Sequence, residues 1–235
     1  MHDLFGYDQE IIQRYPTIRA GLVHATGLAN GPSGSNLLDE YAIEQTAAIA
    51  RLGRTPIAEI PSVAAWRRAF TRFGVKPTQY RSAVESLLRR LDKQGDIPSI
   101  STLVDIGNVV SIRHAVPVAV FDRAGLAGAI TVRFASGTEV FADLGSSEST
   151  HPEPGEVVFV DDAGVVAARR WCWRQSAASA SGPSTTEALF VIEAHHDTAE
   201  EEVDWAASDV TALLEAHQPG SRTSAHHLSP ADPEI

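Results

Sequence analysis

The stretch RRWCWRQS, residues 169–176, puts two of the chain's four tryptophans and three arginines into eight positions. Side chains alternate along a strand, so Trp171 and Trp173 would share a face with Arg169 and Gln175, leaving Arg170, Cys172 and Arg174 on the other. Exposed indoles would form a platform for stacking bases, whereas buried ones would be core with the arginines paired to acids outside. Guanidinium forks match phosphate oxygens, which makes Arg133, Arg170 and Arg174 candidates to hold a terminal phosphate or ribose. Ion pairs with Asp161, Asp162 or Glu156 are the competing use of the same groups. Asn108 and Asp122 suit the fixing of backbone through buried side-chain hydrogen bonds more than direct ligand contact. Cys172 has no convincing histidine partner in the sequence and makes a poor nucleophile. The histidines of EAHHD (193–197) and of 226–227 are adjacent pairs that would face opposite ways on a strand, with no second spaced cluster, so no metal is expected. GLANGPSGS lacks the Lys-Ser/Thr ending of a phosphate loop, and no cofactor is expected.

Charge is distributed unevenly. The 235 residues carry a net charge of −11, yet residues 51–93 hold ten Lys/Arg against three acids, and residues 193–235 hold ten acids against one Arg. Local field rather than total charge steers a ligand, so a polyanionic partner remains compatible with an acidic chain. Arg67, Arg68, Arg72, Arg81, Arg89 and Arg90 are the candidates for RNA-backbone contact; the plainer use of such charges is to solvate helix faces. One cysteine excludes an internal disulfide framework and fits a reducing compartment. MHDLFGYDQE has no basic segment leading into an apolar core, and no apolar run nears the roughly 20 residues that span a bilayer, so the expectation is a cytoplasmic protein with no membrane partner.

The elements that must position these residues fall into two kinds. TIRAGLVHATGL (17–28) reads as a strand entering a Gly-rich loop. SNLLDEYAIEQTAAIARLG, PSVAAWRRAFTRFG and TQYRSAVESLLRRLDKQG have helical apolar spacing and end at Gly53, Gly74 and Gly95. In the second, Val63, Trp66, Ala69, Phe70 and Phe73 form one stripe, with Arg67, Arg68 and Arg72 largely off it. SISTLVDIGNVVSIRH is a fourth helix. Short β-rich runs then follow, from VPVAVFD to EALFVIEAH, with VVAARRWCWRQS among them. The expected architecture is α+β: a helical part over about 35–115, packed on a mostly antiparallel β-rich part over about 116–197, and a C-terminal helix over about 199–217. A single domain over 1–218 and a disordered tail over 219–235 complete it.

VDIGN (104–108), PVAVFD (117–122), GAITVRFASGTEVF, PGEVVFVDDAGVVAA and TTEALFVIEA follow one another in an order and spacing similar to the B3/B4 editing domain of the phenylalanyl-tRNA synthetase β subunit. The chain also resembles the freestanding bacterial proteins built from that domain, over roughly residues 15–197. The resemblance implies an α+β fold that holds the 3′ end of an aminoacylated tRNA and hydrolyses a wrongly attached tyrosine. A pocket that selects an apolar ring rejects its hydroxylated analogue weakly, which is why a second site is needed. Glu193 aligns with the family glutamate that helps recognise the phenolic hydroxyl. Gly107 and Ala119 stand where the family has a threonine and a histidine, and RRWCWRQS replaces its glycine-rich turn. The expected site therefore comprises Glu193, Asn108, Asp122, Arg133, Arg170, Arg174, Gln175 and Trp173, with unknown catalytic residues. The expected function is acceptor-end binding with hydrolysis of a mischarged ester; the alternative is a non-catalytic module for RNA or an amino-acid-like ligand. With no synthetase core in the sequence, the chain is not expected to charge tRNA.

Overall fold

The computed structural model describes residues 4–146 and 148–235. Its organising element is β10 (Glu187–Ala194), whose sequence EALFVIEA is largely apolar on both faces and is covered on both. It pairs antiparallel with β2 (Arg19–Thr26) and β3 (Val118–Asp122), and β2 pairs with β11 (Arg222–Leu228), giving the order β11-β2-β10-β3. Alternation then decides what each residue meets. Ala188, Phe190, Ile192 and Ala194 share a core with α2 (Ser35–Leu52), α4 (Ala83–Gln94), α5 (Thr102–His114) and α6 (Ala199–His217). Leu189 and Val191 share a second core with the other sheet, and Glu193 joins them on that side through Tyr7 and Trp171.

The second sheet runs β1-β4-β7-β8-β9, from β1 (Phe5–Tyr7) and β4 (Ile130–Phe134) to β7 (Val157–Asp161), β8 (Val166–Arg169) and β9 (Arg174–Gln175). Its pairings are antiparallel except β1 with β4, which is parallel. The layers are therefore helices, sheet and sheet, with a small hairpin of β5 (Phe141–Ala142) and β6 (Ser149–Thr150) beside them. A short helix α1 (Gln9–Arg14) links β1 to β2. The helix α3 (Pro61–Arg72) closes one end of the inter-sheet core: Trp66, Ala69 and Phe70 enter it, as their stripe requires, while Arg68 and Arg72 stay exposed. Each of those fully buried rings contributes roughly 1.5–3 kcal/mol.

Close approach fixes two glycines. A Cβ on Gly21 would lie 2.9 Å from Val203 Cγ1, so α6 sits nearer β2 than a side chain allows. One on Gly107 would lie 3.0 Å from Val120 Cγ2, where α5 packs on β3. The threonine that the resemblance places at 107 would crowd that contact.

Several sequence expectations need correction. Residues 219–235 are not a disordered tail: β11 pairs with β2 from Arg222↔Thr26 to Leu228↔Ala20, and the Ile235 carbonyl accepts from Leu4 N at 3.0 Å. A polar composition hid this strand, whose role is to satisfy the N–H and C=O groups along the edge of β2. RRWCWRQS is not one strand either. β8 ends at Arg169, β9 begins at Arg174, and Arg170 and Trp171 turn the chain with φ of 47° and 58°. The helix expected from Thr78 starts at Ala83, where the Ser82 side chain accepts from Glu85 N.

Candidate functional site

Glu193 is sealed inside the molecule. It is 2% exposed and accepts a hydrogen bond from Tyr7 Oη at 2.6 Å and from Trp171 Nε1 at 3.0 and 3.1 Å. Trp171, fully buried, is placed there by the left-handed turn at 170–171 and meets Tyr15, Trp66 and His195 edge to face at 4.9, 5.2 and 5.0 Å. Burial pushes the Glu193 carboxyl up to about 7, against the Trp171 and Tyr7 hydrogen bonds that favour its charged form. The same burial, with Glu193 second, drives the Tyr7 hydroxyl well above its ordinary value. His195 is held down to about 3 by burial, then by His196 and Arg68, and is therefore neutral. Burial, with Glu193 next, also raises the Cys172 thiol, the opposite of what a nucleophile needs.

The guanidinium groups expected to hold a terminal phosphate or ribose have carboxylate partners instead. Arg133 pairs with Glu139 and Arg174 with Asp143, while Arg169 binds Glu156 through two 3.0 Å hydrogen bonds and Arg170 lies 3.7 Å from the same carboxylate. Trp173 is half-buried between two cations, with Arg170 and Arg174 each 4.6 Å from its ring and Tyr80 edge-on at 4.9 Å. The two tryptophans thus part company, one to the core and one to the rim. Gln175 Nε2 donates to the Val120 and Ser179 carbonyls, both at 2.7 Å. Asp122 accepts from Ala124 N and Thr185 Oγ1, holding two loops together. Asn108 sits on α5 within reach of Tyr41 of α2, in the other core. Ala119, Trp173, Arg174 and Gln175 do meet, around a cavity of only 70 Å³. Small-molecule sites run to about 300–1,000 Å³.

The six basic residues of the helical half divide as sharply. Arg67, Arg81 and Arg89 converge on buried Glu85 at 2.8, 3.9 and 2.9 Å, and Arg90 donates to the Asp96 carbonyl. Arg68 and Arg72, one turn apart on α3, have no carboxylate partner among the described residues; Arg72 covers the Tyr15 ring at 5.4 Å. Both line a shallow, open surface depression of 530 Å³ with Arg67, Thr71 and Pro77. Arg68 also lines a second cavity, of 470 Å³, with Glu59, Pro61, Ala64, His196, Asp197 and Thr198. These two hollows meet at one guanidinium. Among the described residues, His196 Nδ1 beside the second hollow and Tyr15 Oη, Trp66 Nε1 and His195 Nε2 around Trp171 are buried without hydrogen-bond partners.

Sequence reasoning missed Tyr7, Tyr15, Glu59 and Asp197, and weighed the two histidines for metal alone. Among the described residues there is no group of three His, Cys, Asp or Glu side chains that could hold a metal ion. Nor is any helix among them long and apolar enough to cross a membrane. The histidine pair carried a signal that could have been used: just past the end of a buried strand, neighbours face two different environments, and these two do.

A family model described as the B3/4 domain matches residues 65–214. The chain belongs to the B3/4 domain family, in keeping with its α+β architecture. Among solved structures it is similar to an N-terminal fragment of the phenylalanyl-tRNA synthetase β subunit from Pyrococcus horikoshii, with 14% identity and a TM-score of 0.48. That alignment covers 94% of this chain and 50% of the fragment, so the chain spans about half of the fragment's length. No curated protein matches it.

Proposed function

We propose that this protein binds the acceptor end of an aminoacylated tRNA along the exposed face of α3, and that in the conformation described it holds the RNA without hydrolysing the ester. The observation that carries the reading is the pair Arg68 and Arg72. They are exposed, one helical turn apart and without a carboxylate partner among the described residues, and they border an open 530 Å³ depression in a chain whose other candidate arginines are mostly paired. A guanidinium already paired must give up its partner before it meets a phosphate, whereas an unpaired one exchanges only water and counterions. Family membership and the resemblance to a synthetase editing domain supply the RNA; the charge distribution supplies the surface.

Ester hydrolysis at Glu193 fits less well. The carboxylate is already engaged by an indole and a phenol, and the cavity that Ala119, Trp173, Arg174 and Gln175 line measures only 70 Å³. Water and an aminoacyl group would have to displace Trp171 first.

The test is a salt titration of binding to an acceptor-stem RNA. The Arg68→Ala/Arg72→Ala double variant should lose about tenfold or more in affinity and shed roughly two from the slope of log K against log salt, about one per phosphate contact. Arg133→Ala and Arg174→Ala should change affinity less than about twofold. Equal losses from both sets would remove α3 as the binding face, and release of amino acid from a mischarged tRNA by the unaltered protein would remove the non-catalytic part.

A further inference from the structure

Seven large apolar side chains are exposed among the described residues, and four of them belong to α2 and its flank: Leu38, Ile43, Ile49 and Ile100. Ile100 comes from the segment leading into α5, which runs beside α2. Gln45 exchanges two hydrogen bonds with the Ile97 backbone there, and Asp105 joins Ser33 to Ile100. The helix buries Leu37, Tyr41, Glu44, Ala48 and Leu52 against the core. At 100° per residue the opposite arc carries Leu38, Ala42, Ile43, Thr46, Ile49 and Ala50, all exposed, with Asp39 as its one charge. An ordinary surface helix is polar on that side, and a contiguous apolar face there marks a contact surface.

The face reads alike in both directions. Counted from Thr46, an isoleucine lies three residues to either side, Ile43 and Ile49, and an alanine four to either side, Ala42 and Ala50. Two copies of α2 laid antiparallel about Thr46 would therefore set Ile43 of each beside Ile49 of the other, with the alanines letting the axes close. The charges fall into register as well. Asp39 lies seven residues before Thr46 and Arg54 eight after it; both are exposed, and neither has an ion-pair partner among the described residues. In the antiparallel pair Arg54 of the second copy comes level with Asp39 to within about 1.5 Å along the axis. A parallel pair would set Asp39 on Asp39 and Arg54 on Arg54.

We infer that α2 is a self-association surface, on which two copies of this chain pack antiparallel about Thr46, burying Ile43 and Ile49 and pairing Asp39 of each with Arg54 of the other. The occupant is a second copy because the pattern complements itself, as a two-fold contact demands and an unrelated partner does not. The helix of 18 residues is about 27 Å long. A contact one helix wide falls short of the roughly 800 Å² per partner of a standard interface, so the dimer is of micromolar strength. It owes nothing to the RNA-binding reading.

Sedimentation equilibrium of the full chain, from low micromolar to a few hundred micromolar, should show a monomer–dimer equilibrium that goes no further. Ile43→Lys, at a side chain 70% exposed, should leave the melting temperature unchanged. It should weaken the dimer by about thirtyfold or more, as loss of a central anchor does. Asp39→Arg and Arg54→Asp, each alone, bring like charges together twice and should each weaken it about tenfold. The two single variants mixed in equal amounts should recover the original affinity to within about threefold, as should both exchanges in one chain. A chain that stays monomeric, assembly beyond two copies, or a dimer indifferent to Ile43→Lys would overturn the inference. So would single exchanges without effect, or a mixture no tighter than its components.

Discussion

Two regions on either side of α3 use the same residue types in opposite ways. Around Glu193 a carboxylate, a phenol, an indole and a histidine have been drawn into the gap between the sheets and packed to closure. Around Arg68 guanidinium and carboxylate groups stand apart, and two hollows remain between them. The comparison teaches that a polar side chain in the interior of a family fold is not evidence of a site; what matters is whether its hydrogen-bonding capacity has already been taken up. Glu193 has its partners within the chain. Among the described residues Arg68 has no carboxylate partner, and His195 Nε2 and His196 Nδ1 have no hydrogen-bond partner.

The largest effect that could break this contrast is on Trp171. Trp171→Ala should cost about 3–5 kcal/mol, because it empties a fully buried indole site and deprives Glu193 of a donor. Chemical denaturation measures it, and a cost under about 1 kcal/mol would mean that the region is not closed. Next in size is pH dependence, where two buried groups act in opposite senses. The Glu193 carboxyl, raised from 4.5 to about 7, contributes stability that is complete below pH 4.5 and lost as pH rises through 7. His195, lowered from 6.5 to about 3, contributes stability that is complete above pH 6.5 and lost as pH falls through 3. Between pH 4.5 and 6.5 each changes stability by about 1.4 kcal/mol per pH unit, and the two cancel. Glu193→Gln should therefore expose a stability that rises with pH across that window, and His195→Gln one that falls. Identical profiles for both variants would show that neither group is sealed. The smallest effect belongs to the rim: Arg174→Ala removes a half-exposed ion pair with Asp143 and should cost less than about 1 kcal/mol.

Periodicity made much of the architecture legible. The stripe Val63, Trp66, Ala69, Phe70 and Phe73 located α3 and left its arginines outside, and β10 was read from EALFVIEA. What periodicity could not convey was pairing between distant segments. The polar run from Arg222 becomes a strand only because β2 has an open edge, and β1 stands where it does because β4 lies beside it. The stretch RRWCWRQS was misread for a related reason: alternation assumes extended backbone, and two left-handed residues rotate Trp171 inward and Trp173 outward. The candidate residues were legible as types, but their occupancy was not. Whether Arg89 is free depends on a buried glutamate four residues earlier that also receives Arg67, and whether Arg174 is free depends on Asp143, 31 positions away.

The central claim is that recognition takes place at the open face of α3 and not at the sealed carboxylate. Backbone-amide NMR mapping of the full chain during titration with an acceptor-stem RNA tests it most directly. The account expects shifts concentrated in residues 67–77 and 196–198, with Tyr7, Trp171 and Glu193 undisturbed. Shifts centred on those three residues, with α3 silent, would contradict it.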